Sequence, residues 1–283
     1  MTSTDPCKPA PAMLHRPRKR WGQHFLRDGS IIRSIVDRSG VGPEDHVIEI
    51  GPGKGALTAC LCERVRFVTA VEIDRDLIQY LEDRLSRVSN LSLVQKDFLK
   101  LNLQDLLASD SEGLILMGNI PYNLSAPILY KLIESAPLIR NATLMVQQEV
   151  ADRVLADPNT KSYGVLSVLM QYHATPKRLL TIPPEAFYPK PKVYSTVIQL
   201  DFRRPHPSRS GNEPLFKHVV KGAFSSRRKM IKNALMNSPY LSPHPDRIAR
   251  ALDQAGIDGR VRAESLDIDA FVALTASFDQ LNY

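Results

Sequence analysis

The sequence predicts an α/β fold, a mostly parallel and doubly wound sheet, followed by a small all-helical domain. Three observations predict it. Short apolar runs alternate with helical periods from residue 46 to about residue 172, glycine and polar residues punctuate the ends of those runs, and after Phe202 the alternation stops. Continuous apolar strands separated by helices are the pattern of a parallel sheet covered on both faces. The composition agrees: 283 residues, 43% hydrophobic and 24% charged, are globular values that exclude a disordered, collagen-like or coiled-coil chain. The three cysteines, Cys7, Cys60 and Cys62, form no C-x-x-C pair, which excludes a disulfide scaffold and suggests no metal site. No apolar run approaches the roughly 18 residues of a membrane span. The N-terminus lacks the apolar core of a signal peptide. A cytoplasmic chain with no membrane partner is expected.

Taken in order, residues 1–15 are rich in Pro, Ser, Thr and Ala and read as a disordered tail. Arg16-Pro-Arg-Lys-Arg20 follows, a basic arm that by composition alone suits phosphates, solubility or a localisation tag. Ser30 is expected to cap a helix with Ile31, Ile32, Ile35 and Val36 on one face. Strands are predicted at 46–50, 67–73, 91–95, 114–117 and 142–147. Helices are predicted at 56–65, 76–88 and 127–135, with helical stretches at 150–155 and 165–172. Residues 174–182 and 193–202 read as a β-pair that finishes the sheet with antiparallel character. Pro205, Pro207, Ser208, Ser210 and Gly211 then form a linker. Beyond it, 215–223, 227–236, 247–255 and 269–278 read as helices. This divides the chain into a tail (1–15), a sheet domain (16–203) and a helical domain (204–283).

Charge follows the same division. Lys and Arg total 37 against 30 Asp and Glu, a net charge of +7. Between Phe202 and Lys232 nine basic residues face one acid, Glu213, so that segment alone carries +8. Pro43–Gly113 has 13 acids and eight bases, or −5. A one-signed cluster argues for a polyanion partner, although a charge run can also be a solvated helix face.

In an open parallel sheet, ligands bind beyond the carboxyl ends of the strands. Four loops lie there. Glu49-Ile-Gly-Pro-Gly-Lys-Gly-Ala56 lets the backbone turn sharply and approach a ligand, or serves packing alone. Its G-x-G-x-G spacing differs from the dinucleotide G-x-G-x-x-G. Glu72, 21 positions after Gly51, can accept ribose hydroxyls at the tip of the second strand; Asp74 suits a helix cap. Asp97 can accept from an adenine amino group. Together the three loops indicate an adenosine-containing cofactor. In the fourth, Gly118-Asn-Ile-Pro-Tyr-Asn123, the Asn119 side-chain oxygen and the Ile120 carbonyl offer two acceptors. Adenine N6 is a poor nucleophile because its lone pair is delocalised, and two acceptors on its hydrogens pull it toward tetrahedral geometry. Pro121 fixes that carbonyl and Tyr122 offers a stacking ring. A plain turn into the next helix would use the same residues.

With these residues the chain resembles the ribosomal RNA adenine N6-dimethyltransferases, most of all the bacterial members acting on two adjacent adenines near the 3′ end of small-subunit rRNA. The resemblance rests on Lys19-Arg-Trp-Gly-Gln-His-Phe-Leu26, the Glu49 loop, Asn119-Ile-Pro-Tyr122, Phe187-Tyr-Pro-Lys-Pro-Lys-Val-Tyr-Ser195 and Phe224-Ser-Ser-Arg-Arg-Lys229. It implies a seven-stranded Rossmann-like class I methyltransferase domain that binds S-adenosylmethionine, plus a helical RNA-binding domain. It also implies that His24 and Leu26 border the methionine end, Gly51 underlies it, Glu72 holds the ribose, Asp97 the adenine, and Asn119 both cofactor and target. Phe187 is implied to flank a flipped adenine opposite Tyr122. Candidate RNA contacts are Arg18, Lys19, Arg20, Lys190, Lys192, Lys221, Arg227, Arg228 and Lys229. His24 stands where the family commonly has Asn, and Ile120 where it commonly has Leu. The expected partner is rRNA in the immature small subunit, met by a monomer with a part in subunit biogenesis. The rivals are a large-subunit resistance methyltransferase, a DNA adenine methyltransferase, a non-catalytic assembly factor and, weakest, a nicotinamide oxidoreductase.

Overall fold

The computed structural model describes residues 24–107, 112–241 and 244–281. The expected tail and the basic arm with Arg18, Lys19 and Arg20 lie outside these residues. The chain divides into two compact units, one running to Ala151 and resuming over Pro176–Arg203, the other made of Asp152–Thr175 and the chain from Arg204. The sequence reading had assigned Asp152–Thr175 to the sheet domain.

The first unit contains β1 (Phe25–Leu26), α1 (Gly29–Ser39), β2 (His46–Ile50), α2 (Ala56–Cys62), β3 (Phe67–Glu72), α3 (Arg75–Arg84), β4 (Leu91–Gln95), β5 (Leu114–Asn119), α4 (Ser125–Glu134) and β6 (Ile139–Gln147). After α5 (Gln148–Val154), within which the two units meet in sequence, and α6 (Val165–His173), the chain returns as β7 (Thr175–Ile182), β8 (Phe187–Tyr188) and β9 (Ser195–Asp201). Seven strands form one sheet in the order β4-β3-β2-β5-β6-β9-β7. β2 through β6 are parallel to their neighbours, and β9 runs antiparallel to β6. Successive strands step outward one way from β2 to β4 and the other way from β5, so β2 and β5 flank a crevice at their carboxyl ends.

One sheet face is sealed by α1 and α2. Ile32, Ile35 and Val36 from α1 and Cys60 and Leu61 from α2 join Val47, Val68, Ile115 and Met117 in one apolar cluster. Each such large side chain contributes roughly 1.5–3 kcal/mol when fully buried. Local signals set the helix ends, with two departures from expectation. The cap of α1 is Asp28, whose carboxylate accepts from the Ser30 and Ile31 amides, while Ser30 lies inside the helix and donates its hydroxyl to Asp28. A carboxylate two residues ahead reaches both free amides, which the Ser30 hydroxyl cannot. α2 stops at Cys62, three residues short of expectation, where the Asn90 amide donates to the carbonyls of Cys62 and Val65.

The second unit adds α7 (Glu213–Ala223), α8 (Ile231–Met236), α9 (Pro245–Gln254) and α10 (Ile268–Gln280). Its interior holds Tyr172 stacked on Phe216 at 4.1 Å, with the Arg209 guanidinium 3.8 Å over the tyrosine ring. α8 begins four residues later than the expected start at Arg227. The Ile231 and Lys232 amides donate to Val261 and Gly259 carbonyls, so the 259–261 loop replaces the preceding turn of helix. Residues 225–229 are a turn instead.

Candidate active site

The crevice between β2 and β5 is a cavity whose walls are the four loops singled out above. The β2 loop begins at Gly51, in the left-handed region at φ 66°, with its amide donating to Val71 O. Such a backbone favours glycine. On the facing strand a Cβ at Gly118 would lie 2.5 Å from the Ile50 carbonyl, so β5 approaches β2 closely only because position 118 has no side chain. Glu49↔Met117 are register partners, and the residues that follow them therefore emerge side by side.

Two carboxyl groups lie under the glycine loop. Glu72 is 6% exposed; Oε1 accepts from the Ile73 and Asp74 amides at 2.9 and 3.0 Å, and Oε2 from the Gly53 amide at a longer 3.3 Å. Burial raises its pKa against the pull of these donors. Glu49 is 1% exposed, and its Oε2 has no hydrogen-bond partner among the described residues. Burial pushes the Glu49 carboxyl up to about 8, opposed by the Thr58 hydroxyl and reinforced by the Glu72 charge. Asp97 lines the same cavity with one oxygen held by the Leu99 amide, as the cap of a short 3-10 turn. Asp74 caps α3 by accepting from Asp76.

On the opposite wall stand Asn119, Ile120, Pro121 and Tyr122, with Leu26 of the first strand and His24 just before that strand beside them. Asn119 Nδ2 donates to the His24 carbonyl at 2.8 Å, which leaves Oδ1 as the free acceptor of that amide. The Ile120 amide donates to Met145 O at 3.0 Å and its side chain is buried. His24 stacks on Tyr122 with ring centroids 5.0 Å apart and an interplanar angle of 29°. Its Nδ1 lies 2.6 Å from Pro189 O; a carbonyl only accepts, so Nδ1 carries the proton. The Tyr122 hydroxyl is 2.9 Å from Ser195 Oγ, and Ser195 is fully buried. Burial raises the Tyr122 phenol above its ordinary value, opposed by the Ser195 hydrogen bond, so it stays neutral.

One expected site residue is elsewhere. Phe187 is 4% exposed and belongs to the apolar cluster with Ile182 and Val197; it does not line the cavity. Pairing of β8 with β1 sets Leu26 opposite Phe187, and Leu26 lines the cavity while packing against the cluster that holds the Phe187 ring. Of the basic candidates, Lys190 pairs with Glu185 at 2.6 Å, and Lys192, Arg228 and Lys229 are exposed. Lys221 Nζ lies 5.6 Å from the Tyr240 ring. Arg227 donates to the carbonyls of Lys161 and Tyr163, so it braces its own unit. Sequence reasoning assigned no role to Glu49 or Ser195. An acid inside an otherwise apolar strand was a readable signal for Glu49; nothing local announces that Ser195 meets Tyr122 from 73 positions away. Among the described residues no group of three or more His, Cys, Asp or Glu could hold a metal ion.

An acceptor-bearing loop facing a glycine turn and a buried strand-tip acid is the chemistry of a nucleotide-handling transferase, and residues 14–280 match the family described as ribosomal RNA adenine dimethylase. The chain belongs to the ribosomal RNA adenine dimethylase family. Among curated relatives, the ribosomal RNA small subunit methyltransferase A of Lachnoclostridium phytofermentans is 37% identical over 93% of this chain and 92% of its own length. That of Geobacillus thermodenitrificans is 40% identical over 91% of this chain and 89% of its own length. A dimethyladenosine transferase from Plasmodium falciparum shares the fold, with TM-score 0.76 and 24% identity over 91% of this chain and 98% of its own. The 23S rRNA methyltransferase ErmE superposes with TM-score 0.67 at 28% identity, covering 90% of this chain and all of its own. The dimethylase family member described here is thus an rRNA adenine methyltransferase with a class I methyltransferase sheet. No helix among the described residues is long and apolar enough to cross a membrane.

Proposed function

We propose that this dimethylase transfers methyl groups from S-adenosylmethionine to N6 of two adjacent adenines near the 3′ end of small-subunit rRNA, and does so on the immature subunit. The observation that carries the reading is one cavity bounded by Gly51 and Glu72 on one wall and by Asn119, Ile120 and Tyr122 on the other. The residues suit the donor. The unpartnered, buried Glu49 Oε2 is an acceptor that a cationic ligand satisfies. The long Gly53 contact leaves Glu72 Oε2 capacity for a ribose hydroxyl, and Asp97 retains an oxygen for an adenine amine. When bound, S-adenosylmethionine supplies a methyl group on a sulfonium.

The protein's share is alignment and lone-pair localisation. Asn119 Oδ1 and the Ile120 carbonyl accept from the two N6 hydrogens. With the donor bound, these acceptors would aim the N6 lone pair at the sulfonium methyl, and the proton N6 sheds would pass to solvent. Tyr122 is no base, since its phenol stays protonated; it is a ring braced by His24 and Ser195 against which an extruded base stacks. The exposed Arg228 and Lys229 give the second unit phosphate contacts.

The test is mass spectrometry of rRNA after incubating the protein and methyl donor with immature small subunits, and separately with large subunits, from cells lacking the gene. Dimethyladenosine at two adjacent small-subunit positions is the expected result. Methylation confined to the large subunit assigns the ErmE-like activity instead, and RNA binding without transfer assigns an assembly factor; either contradicts the reading.

A further inference from the structure

Beside the cavity lies a surface that the catalytic reading does not use. Among the described residues of the first unit the large hydrophobic side chains left exposed are Ile73 and three from the 187–195 loop: Tyr188 at 50%, Val193 at 42% and Tyr194 at 50%. Half-exposed tyrosines on one loop are an unusual use of aromatic surface in a chain only 7% aromatic. They are interleaved with cations. The exposed Arg27 guanidinium lies 4.0 Å over the Tyr188 ring. Lys190 and Lys192 sit between the two tyrosines; Lys190 pairs with Glu185, and Lys192 has no acidic partner among the described residues.

This surface joins the cavity rim at two points. Tyr188 is the register partner of Phe25, and His24, Phe25 and Leu26 line the cavity. His24 reaches the loop itself through its bond to Pro189 O. At the other end Tyr194 immediately precedes Ser195, whose hydroxyl holds Tyr122, and its carbonyl is fixed by the Gln148 amide. The loop that borders the cavity thus carries Tyr188 under Arg27 near one end, Tyr194 at the other, and Lys190 and Lys192 between them in sequence.

We propose that Arg27, Tyr188 and Tyr194 form a second RNA subsite, a stacking platform for unpaired nucleotides flanking the adenine held in the cavity. The inference rests on the rRNA methyltransferase reading and adds to it the place where the neighbouring nucleotides go. Every base has a π-face for an exposed tyrosine, and phosphates between bases meet the cations. A protein partner would have no comparable need for the guanidinium stacked on Tyr188 and the exposed Lys192 on the same loop. Arg27, already stacked on one face of Tyr188, presents its outer N–H groups to phosphate without losing that contact.

The full-length protein and its Tyr188→Ala, Tyr194→Ala and Arg27→Ala variants are compared by binding a short purine-rich single-stranded RNA, and by KM for small subunits and for the methyl donor. Each tyrosine deletion is expected to weaken RNA binding and raise the RNA KM about ten-fold. The donor KM stays within two-fold, and Tyr188→Phe and Tyr194→Phe restore binding because the ring is retained. Arg27→Ala is expected to flatten the salt dependence of RNA binding by about one charge. A double tyrosine-to-alanine variant that keeps full RNA affinity overturns the proposal. Loss of donor binding in parallel overturns it too, since the loop would then merely support the cavity. Wild-type protein that binds RNA through these rings yet transfers no methyl group sinks the catalytic reading and leaves the platform standing.

Discussion

Glu49 carries an ionisable group from β2 to the cavity wall, 1% exposed and with no hydrogen-bond partner for Oε2 among the described residues. An unfolded chain releases the glutamate proton near about pH 4.3, whereas the folded chain keeps it until about 8. Raising the pH between those values therefore favours the unfolded state, because only that state has given up the proton. The stabilising contribution is whole below about pH 4.3 and declines by roughly 1.4 kcal/mol per pH unit through the window. Thermal denaturation of the donor-free protein should accordingly show wild type falling relative to Glu49→Gln from pH 5 to 8 and running parallel above that; curves parallel throughout would show that Glu49 ionises freely. The neighbouring residues differ in how far the sequence announced them. Gly51 just past a strand, and Glu72 and Asn119 at strand ends, stand where residue type and order alone suggested a ligand-facing position, and all three line the cavity. The stacking of His24 on Tyr122 joins positions 98 apart, and the Tyr122–Ser195 contact 73 apart, and neither leaves a local pattern. Phe187 shows the converse: its motif was legible, but the ring is buried in the apolar cluster with Ile182 and Val197.

At the scale of elements, apolar periodicity located the seven strands of the main sheet and the helices, while the two-residue β1 and β8 are too short to show a period; the other errors gathered at element ends, where single hydrogen bonds decide. Asp28 displaced Ser30 as the cap of α1, and Asn90 ended α2 early. The basic run at 227–229 is the instructive case. Its residues are good helix formers and read as the first turn of α8, yet the 259–261 loop claims the amides that a longer helix would use. The run is a turn, and its three cations divide their work. Arg227 is tied to Lys161 and Tyr163 carbonyls, while Arg228 and Lys229 face solvent. Arg227→Ala should thus lower the melting temperature, at a cost of about 1–3 kcal/mol for two lost charged hydrogen bonds. Arg228→Ala and Lys229→Ala should leave melting unchanged and each reduce the slope of log RNA affinity against log salt by about one. Equal melting temperatures for all three variants would remove the distinction.

Across the whole molecule, function follows from a reversal of strand order. The chain builds outward from β2, then starts again beside it with β5, so two loops about 65 residues apart in sequence face each other across one crevice. Alternating strands and helices made that sheet legible, because right-handed crossovers leave few topologies. The recruitment of Asp152–Thr175 to the helical unit was not, since it depends on contacts such as Asn159 with Glu264 and Tyr163 with Leu266, over 100 positions apart. The proposed use of the crevice turns on Asn119, which lines it and keeps Oδ1 free as the proposed acceptor for N6. The most direct measurement is the single-turnover rate of methyl transfer to immature small subunits by Asn119→Ala with the donor saturating. Loss of one preorganised polar group of this kind predicts a rate at least about a hundred-fold below wild type. A rate equal to wild type would contradict the account.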